Sequence, residues 1–420
     1  MKFIHAADIH LDSPLLGLER YEGAPAEELR GASRQAFENL IRLAIDEGAA
    51  FVLIAGDLFD GDWRDYNTGL YFVRQMAELK KQGIAVFIVS GNHDAASQIT
   101  RALSLPDNVH FFGSRAPETV VVEGLGVAIH GQSYRTPELT DNLAMGYPDG
   151  VTGRFNIGLL HTAATGRPGH ASYAPCTLDH LLAKGYDYWA LGHVHKREEL
   201  NRAPWVVYAG NTQGRHARET GAKGCTLVTV ADGAATAVEH RDLDVVRWAQ
   251  VQVECSDLDS PRAALTAAVE QLAEATAAAK GRLLATRVEF VGRSRAHSRL
   301  LREEEQWRNE LRGMCLGSFG DRVWIEKILF RTAMAIDLGQ LAAGHDPVAL
   351  LLRGTDDAGE VKAILADERQ GIDAILAKIP VELRSQLELP DLDDPEQVQQ
   401  LFAEIREMLL PLIVAGEEGA

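Results

Sequence analysis

Ser90-Gly91-Asn92-His93-Asp94 follows Ile84-Ala85-Val86-Phe87-Ile88-Val89, an apolar run short enough to be a strand buried on both faces. A chain that leaves such a strand through Gly sets its next polar side chains at the strand's carboxyl end, where open α/β sheets bind ligands. The same grammar recurs along the chain. Phe3-Ile4-His5-Ala6-Ala7 leads to Asp8-Ile9-His10, and Phe51-Val52-Leu53-Ile54-Ala55 to Gly56-Asp57-Leu58-Phe59-Asp60. Phe155-Asn156-Ile157-Gly158-Leu159-Leu160 ends in His161, and Tyr186-Asp187-Tyr188-Trp189-Ala190-Leu191 ends in Gly192-His193-Val194-His195. Trp205-Val206-Val207-Tyr208-Ala209 runs into Gly210-Asn211-Thr212-Gln213-Gly214.

Amphipathic segments separate the first of these runs. Apolar positions Leu29, Ala36, Leu40, Leu43 and Ala44 predict a helix over 26–47, and a second helix is predicted over about 67–82. Strands at 224–230 and 234–241 read as a hairpin through Asp232-Gly233. Alternating strands and helices predict an α/β domain over residues 1–243. Past that point an Ala-rich helix at 261–279, a strand at 284–291, a charged helix over 296–312 and a strand at 323–330 predict a small α/β domain within 244–338. Residues 339–420 read as an acidic helical tail. A loop rich in Asp and Pro lies at 386–395. After it Val398, Leu401, Phe402, Ile405, Met408 and Leu409 form an apolar face over 396–410 that Pro411 ends.

Composition narrows the class. Hydrophobic residues make up 46% and charged residues 24% of 420, as in water-soluble globular chains. No apolar run approaches the ~20 residues a membrane helix needs, and Met1-Lys2-Phe3-Ile4 enters a strand with no signal-peptide pattern. Cys176, Cys225, Cys255 and Cys315 form no CxxC, which argues against a disulfide framework or zinc ribbon and for a cytoplasmic protein. The net charge of −18 divides as −7 over residues 1–243, +1 over 244–331 and −12 over 332–420. The acid is concentrated in the tail, so the total does not exclude a nucleic-acid partner.

The chemistry lies in the strand-end residues Asp8, His10, Asp57, Asn92, His93, Asp94, His161, His193 and His195. Each has an ordinary reading alone. Gly-Asp is common turn chemistry, and a single buried histidine is more often hydrogen-bonded in a core than ligating. His193 and His195 are sharper, because alternate residues of an extended segment share a face. Together, imidazoles and carboxylates are the ligands of first-row divalent metals. Two such ions ~4 Å apart need a bridging carboxylate and can clamp an in-line displacement at phosphorus. A parallel sheet would gather these residues on one edge.

Asp8-x-His10, Gly56-Asp57, Gly91-Asn92-His93-Asp94, His161 and Gly192-His193-x-His195, in that order, resemble the motifs of the calcineurin-like metallophosphoesterases. Among these the chain is most similar to the DNA-repair exonuclease branch, the SbcD type with its YhaO-like bacterial relatives. The resemblance implies a four-layer sandwich of two β-sheets flanked by helices, followed by a small α/β capping domain and a helical tail. It implies that Asp8, His10 and His195 hold one metal, that Asn92, His161 and His193 hold a second, and that Asp57 bridges them. His93 would face the scissile phosphate and protonate the leaving oxygen, with Asp94 orienting it. Arg215 and His216, after the Gly210–Gly214 loop, would contact substrate phosphate. The cofactor would be two divalent ions, Mn²⁺ in this family. The partners would be DNA, an SMC-like ABC ATPase docked on the tail, and a second copy of the chain.

Two other functions stand beside this one. A phosphatase or small-nucleotide phosphodiesterase would share the metal motifs, but phosphatases of this superfamily typically carry Glu where Asp94 stands and Arg where Gly61 stands. An interaction subunit would use the apolar face of 396–410 to dock an ATPase.

Overall fold

The computed structural model describes residues 1–13, 24–60, 66–96, 104–164, 173–335, 343–345, 347–356, 358–376, 378 and 392–405. The short β-branched and aromatic runs become strands, and the 3.6-periodic segments between them become helices. In chain order these are β1 (Lys2–Ala6), α1 (Ala26–Asp46), β2 (Phe51–Ala55), α2 (Tyr66–Lys81), β3 (Ala85–Val89) and β4 (Val109–Phe111). Next come β5 (Glu118–Val122), β6 (Val127–Gly131), β7 (Phe155–His161), α3 (Leu178–Leu182), β8 (Tyr188–Gly192), β9 (Glu198–Arg202), β10 (Trp205–Tyr208), β11 (Gly224–Ala231) and β12 (Ala234–Asp242).

These strands build two six-stranded sheets, ordered β12-β11-β1-β2-β3-β4 and β5-β6-β7-β8-β10-β9. β1 to β4 run parallel, as do β6, β7, β8 and β10. The hairpin of β11 and β12 turns through Asp232 and Gly233, both at positive φ, as a two-residue hairpin turn requires.

Alternation along the strands makes the layers. On β2, Val52 and Ile54 face a core that Phe37, Leu40 and Ala44 of α1 and Phe72, Met76 and Leu79 of α2 complete. Phe51, Leu53 and Ala55 face the other way, toward Ile129, Phe155, Ile157, Leu159, Tyr188 and Val207 of the second sheet. Phe3 stacks on Phe51 with ring centroids 5.0 Å apart and meets Tyr188 edge-on at 5.3 Å. Each such fully buried ring contributes about 1.5–3 kcal/mol. The far face of the second sheet packs Leu160, Trp189, Leu191 and Tyr208 against Tyr147 and Leu181. The result is helix, sheet, sheet, helix: the four-layer sandwich of two sheets flanked by helices. The strand ends that carry the candidate ligands belong to both sheets, not to one parallel edge.

Beyond residue 242 lie β13 (Val246–Glu254), α4 (Pro261–Ala278), β14 (Leu283–Ser294), α5 (His297–Arg302), α6 (Glu304–Phe319), β15 (Val323–Met334), α7 (Pro347–Asp356) and α8 (Ala358–Leu376). β13, β14 and β15 form a three-stranded sheet in that order. The charged helix expected over 296–312 is two helices, separated at Glu303. At that break Arg299 O accepts both the Glu303 backbone N–H at 3.2 Å and the Trp307 indole N–H at 3.1 Å.

The chain divides into two compact units. One is Met1–Gln250 with Glu274–Arg287 and Phe319–Glu326. The other is Val251–Ala273 with Val288–Ser318 and Lys327–Ala420. Within the first, Trp248 and Trp324 meet edge-on at 5.9 Å beside Leu29, Ala32 and Ala217. In the tail a helix starts at 395 and is described to 405, with Val398 buried. Met408, Leu409 and Pro411, and most of the Asp/Pro loop, lie outside the described residues. Among the described residues no helix is long and apolar enough to cross a membrane.

Candidate metal centre

Five residues at this site hold the left-handed backbone that side chains other than Gly rarely adopt: Asp8 at φ 50°, His10 at 46°, Asp12 at 56°, Asp57 at 51° and His193 at 102°. Each such residue costs on the order of 1 kcal/mol or more and persists only where its surroundings enforce it. Here the enforcing contacts join the loops. Asp8 N–H donates to Gly56 O and His10 N–H to Asp57 O, both at 3.0 Å. His193 N–H reaches Asp8 Oδ1 at 3.0 Å and Oδ2 at 3.1 Å, tying the two sheets together at their strand ends.

Three glycines allow the close approach. A Cβ on Gly91 would fall 2.3 Å from Asp57 Oδ1, and one on Gly56 would fall 2.4 Å from His161 Nδ1. A Cβ on Gly192 would fall 1.9 Å from Ala55 O. Any of these methyl groups would occupy the space the site side chains fill.

Two of the overlapping sets of gathered ligand atoms share Asp8, and a third is His10, Asp60 and His93. Asp8, His10 and His195 present atoms within 4.8 Å of one another, and so do Asp8, Asp57 and His161. His10 Nε2 and His195 Nε2 stand 3.3 Å apart. Two imidazoles on one first-row ion are separated by about 3.0–3.4 Å, given metal–nitrogen distances near 2.1 Å. Asp57 Oδ2 lies 3.9 Å from His10 Nε2 and 3.5 Å from His161 Nε2, so one oxygen faces both sets. Asn92 Oδ1 is 3.1 Å from His161 Nε2, and the His193 ring meets the His161 ring edge-on at 5.2 Å.

Protonation fits cations at these positions. Burial pulls the His161 pKa down to about 3, leaving the ring neutral. Its Nδ1 lies 2.9 Å from Ala55 O, a pure acceptor, so the single proton is on Nδ1. The Nε2 lone pair therefore faces Asn92 Oδ1 and Asp57 Oδ2, an arrangement of acceptors that a cation resolves. Burial likewise pulls His10 down to about 4. Its Nδ1 stands 3.6 Å from Asp60 Oδ1, just beyond hydrogen-bond distance. Burial raises the Asp8 carboxyl to about 7, against the attraction of His195 and with the repulsion of Asp57 adding to it. Two buried carboxylates and lone-pair nitrogens together are a site built for positive charge, and the residues present fit two divalent ions.

His93 and Asp94 are divided by the structure. Asp94 is buried and does not orient His93. Its carboxylate accepts from the backbone N–H groups of Leu58 (3.1 Å), Phe59 (2.8 Å) and Gly91 (3.1 Å). Burial pushes it up to about 7, with Asp57 adding to the rise. Successive residues of a tight turn point apart, so Asp94 braces the loops while its neighbour faces outward. The partner of His93 is Asp60, whose Oδ1 lies 2.7 Å from Nδ1. That hydrogen bond raises the His93 pKa. Burial opposes ionisation of Asp60, but the imidazoles of His10 and His93 beside it hold its carboxyl far below the usual range.

Arg215 and His216 part in the same way. Arg215 Nη1 sits 3.3 Å from Asp60 Oδ2 and 3.4 Å from Ser13 Oγ, beside the His93 partner. His216 is largely exposed, and its Nδ1 accepts from Arg218 N–H at 3.2 Å. Sequence reasoning missed two residues. Asp60 stands in the quoted Gly56–Asp60 loop, where its spacing from Asp57 was a usable signal. Glu219, 2.6 Å from His195 Nδ1, carried no signal.

Residues 1–197, just under half of the chain, match the family described as calcineurin-like phosphoesterase. Residues 248–333 match the middle domain of metallophosphoesterase YhaO. An uncharacterized metallophosphoesterase YhaO of Bacillus subtilis is 39% identical over 261 residues, covering 61% of this chain and 64% of that one. A DNA double-strand break repair protein Mre11 of Methanopyrus kandleri is 28% identical over 233 residues, 51% of this chain and 49% of its own. The protein of that description from Archaeoglobus fulgidus is 36% identical over 110 residues, 26% and 23% of the two chains. The chain thus spans less than two thirds of the length of these relatives.

Proposed function

We propose that the protein is a dinuclear phosphodiesterase that cleaves DNA. Asp57 Oδ2 carries the reading, because one carboxylate oxygen faces the nitrogens of both ligand sets. Asp8, His10 and His195 would hold one ion, and Asn92, His161 and His193 the other, with Mn²⁺ the proposed metal for this nitrogen and oxygen set. Bound cations supply Lewis acidity toward the phosphoryl oxygens and neutralise charge developing at phosphorus. The chain's own groups supply the rest. His93, whose pKa the hydrogen bond to Asp60 raises, would give its Nε2 proton to the leaving oxygen. The relatives named as DNA double-strand break repair proteins support DNA as the substrate. We place the protein in the cytoplasm as a homodimer, with an SMC-like ABC ATPase docked on residues 339–420.

The test is Mn²⁺-dependent cleavage of single- and double-stranded DNA, with a phosphomonoester as control. His93→Ala is expected to lower turnover on DNA by about 10²–10⁴-fold while Mn²⁺ binding measured by calorimetry is kept. Equal turnover in the variant removes His93 from the reaction. Cleavage of the monoester alone replaces the nuclease with a phosphatase.

A further inference from the structure

We infer that Glu219 is a positioning residue for the metal ligand His195, which it holds in the one tautomer that can ligate; this rests on the two-metal reading above. His195 Nδ1 lies 2.6 Å from Glu219 Oε1. A carboxylate only accepts, so Nδ1 carries the proton and Nε2 keeps its lone pair. That lone pair is on the nitrogen 3.3 Å from His10 Nε2, inside the Asp8–His10–His195 set. Metal-bound histidines commonly give their other N–H to a carboxylate, which fixes the ring and its basicity.

Glu219 is itself fixed. It is buried, and its second oxygen accepts from Arg215 N–H at 2.6 Å and from Asn211 Nδ2 at 3.0 Å. Asn211 Nδ2 also donates to Gln213 O at 2.8 Å, so the amide cannot swing away. The backbone of His195 is held from the same loop, with Lys223 Nζ donating to His195 O at 2.9 Å. Residues 211–223 therefore grip one ligand by its ring and by its carbonyl. Arg215 also touches Asp60 through Nη1, so one residue contacts the carboxylate partners of both His195 and His93.

The isosteric variant Glu219→Gln gives a sharp test. Arg215 N–H and Asn211 Nδ2 both donate to the second oxygen, so the glutamine must place its carbonyl there. Its NH₂ then faces His195 Nδ1, which has to accept. The proton moves to Nε2 and the ligating lone pair is lost. Imidazole nitrogen shifts of the metal-free protein at mildly alkaline pH should report Nδ1–H in the wild type and Nε2–H in Glu219→Gln. Calorimetric Mn²⁺ titration should show one of two sites weakened by about 10–100-fold and the other unchanged. A folded Glu219→Gln protein with both affinities and the tautomer unchanged overturns the inference. If that variant does not fold, Asn211→Ala decides: a several-fold weaker site supports the inference, and unaltered Mn²⁺ affinity overturns it. A wild-type protein that binds no Mn²⁺ defeats the two-metal reading as well, whereas binding undiminished by Glu219→Gln defeats this inference alone.

Discussion

His93 Nδ1 rests 2.7 Å from Asp60 Oδ1, and that contact raises the pKa of the imidazole. Partial burial of the ring and the Arg215 charge pull it down. Asp60 is held in turn by Ser13 Oγ at 2.5 Å and by Arg215. Asp60→Asn removes the charge and keeps the shape. Since Asp60 raises the His93 pKa, its loss lets the proton leave at lower pH. Turnover should fall by about a hundredfold, and the alkaline limb of the pH–kcat profile should move to lower pH. A limb that stays where it is would show that His93 is not the acid, or that Asp60 does not set its protonation.

The strands deliver these groups because their ends nearly touch. β7 and β8 pair in parallel, placing His161 opposite Gly192. Across the sandwich Ala55, the last residue of β2, turns its carbonyl to His161 Nδ1. Only a residue without a side chain fits at Gly192, since a methyl there would stand 1.9 Å from Ala55 O and 3.0 Å from His161 Nδ1. Gly192→Ala is expected to force the two sheet edges apart, costing about 1–3 kcal/mol of stability and weakening Mn²⁺ binding together with it. Urea unfolding of the metal-free protein measures the first and calorimetry the second. Wild-type values in both would mean that the strand ends have slack where the structure has none.

At the scale of the whole molecule, pH couples to folding through groups buried between the sheets. His5 Nδ1 lies 3.0 Å from Tyr188 Oη and Nε2 lies 3.1 Å from Leu191 O, and burial pulls its pKa to about 3. The folded protein keeps His5 neutral while the unfolded chain protonates it near its ordinary value. Its contribution is therefore complete above the unfolded pKa and is lost as pH falls. Asp8 and Asp94, raised to about 7, act with the opposite sign: the folded state binds their protons first and gains stability over the same range. The comparison that isolates His5 is the wild type against His5→Gln. Between pH 7 and pH 5 the wild type should lose about 2 kcal/mol relative to the variant, read from urea unfolding in chelator. Parallel pH dependences would mean that His5 is charged in the fold.

The residues that gather at the candidate metal centre were legible in the amino-acid sequence because each is encoded locally. An apolar run of five to seven residues fixes a strand, and the Gly, Asp or His that follows it must emerge at the strand's end. The four-layer sandwich followed from the resemblance of the motifs, since the unbroken apolar run of β2 shows only that both of its faces are buried. Tertiary structure alone decided who partners whom. Asp94 adjoins His93 in sequence yet braces the backbone of another loop, while Asp60 closes on His93. Glu219 reaches back 24 residues to His195. Such pairings depend on where separately encoded loops land once two sheets have packed face to face, and no local pattern of residues specifies that distance.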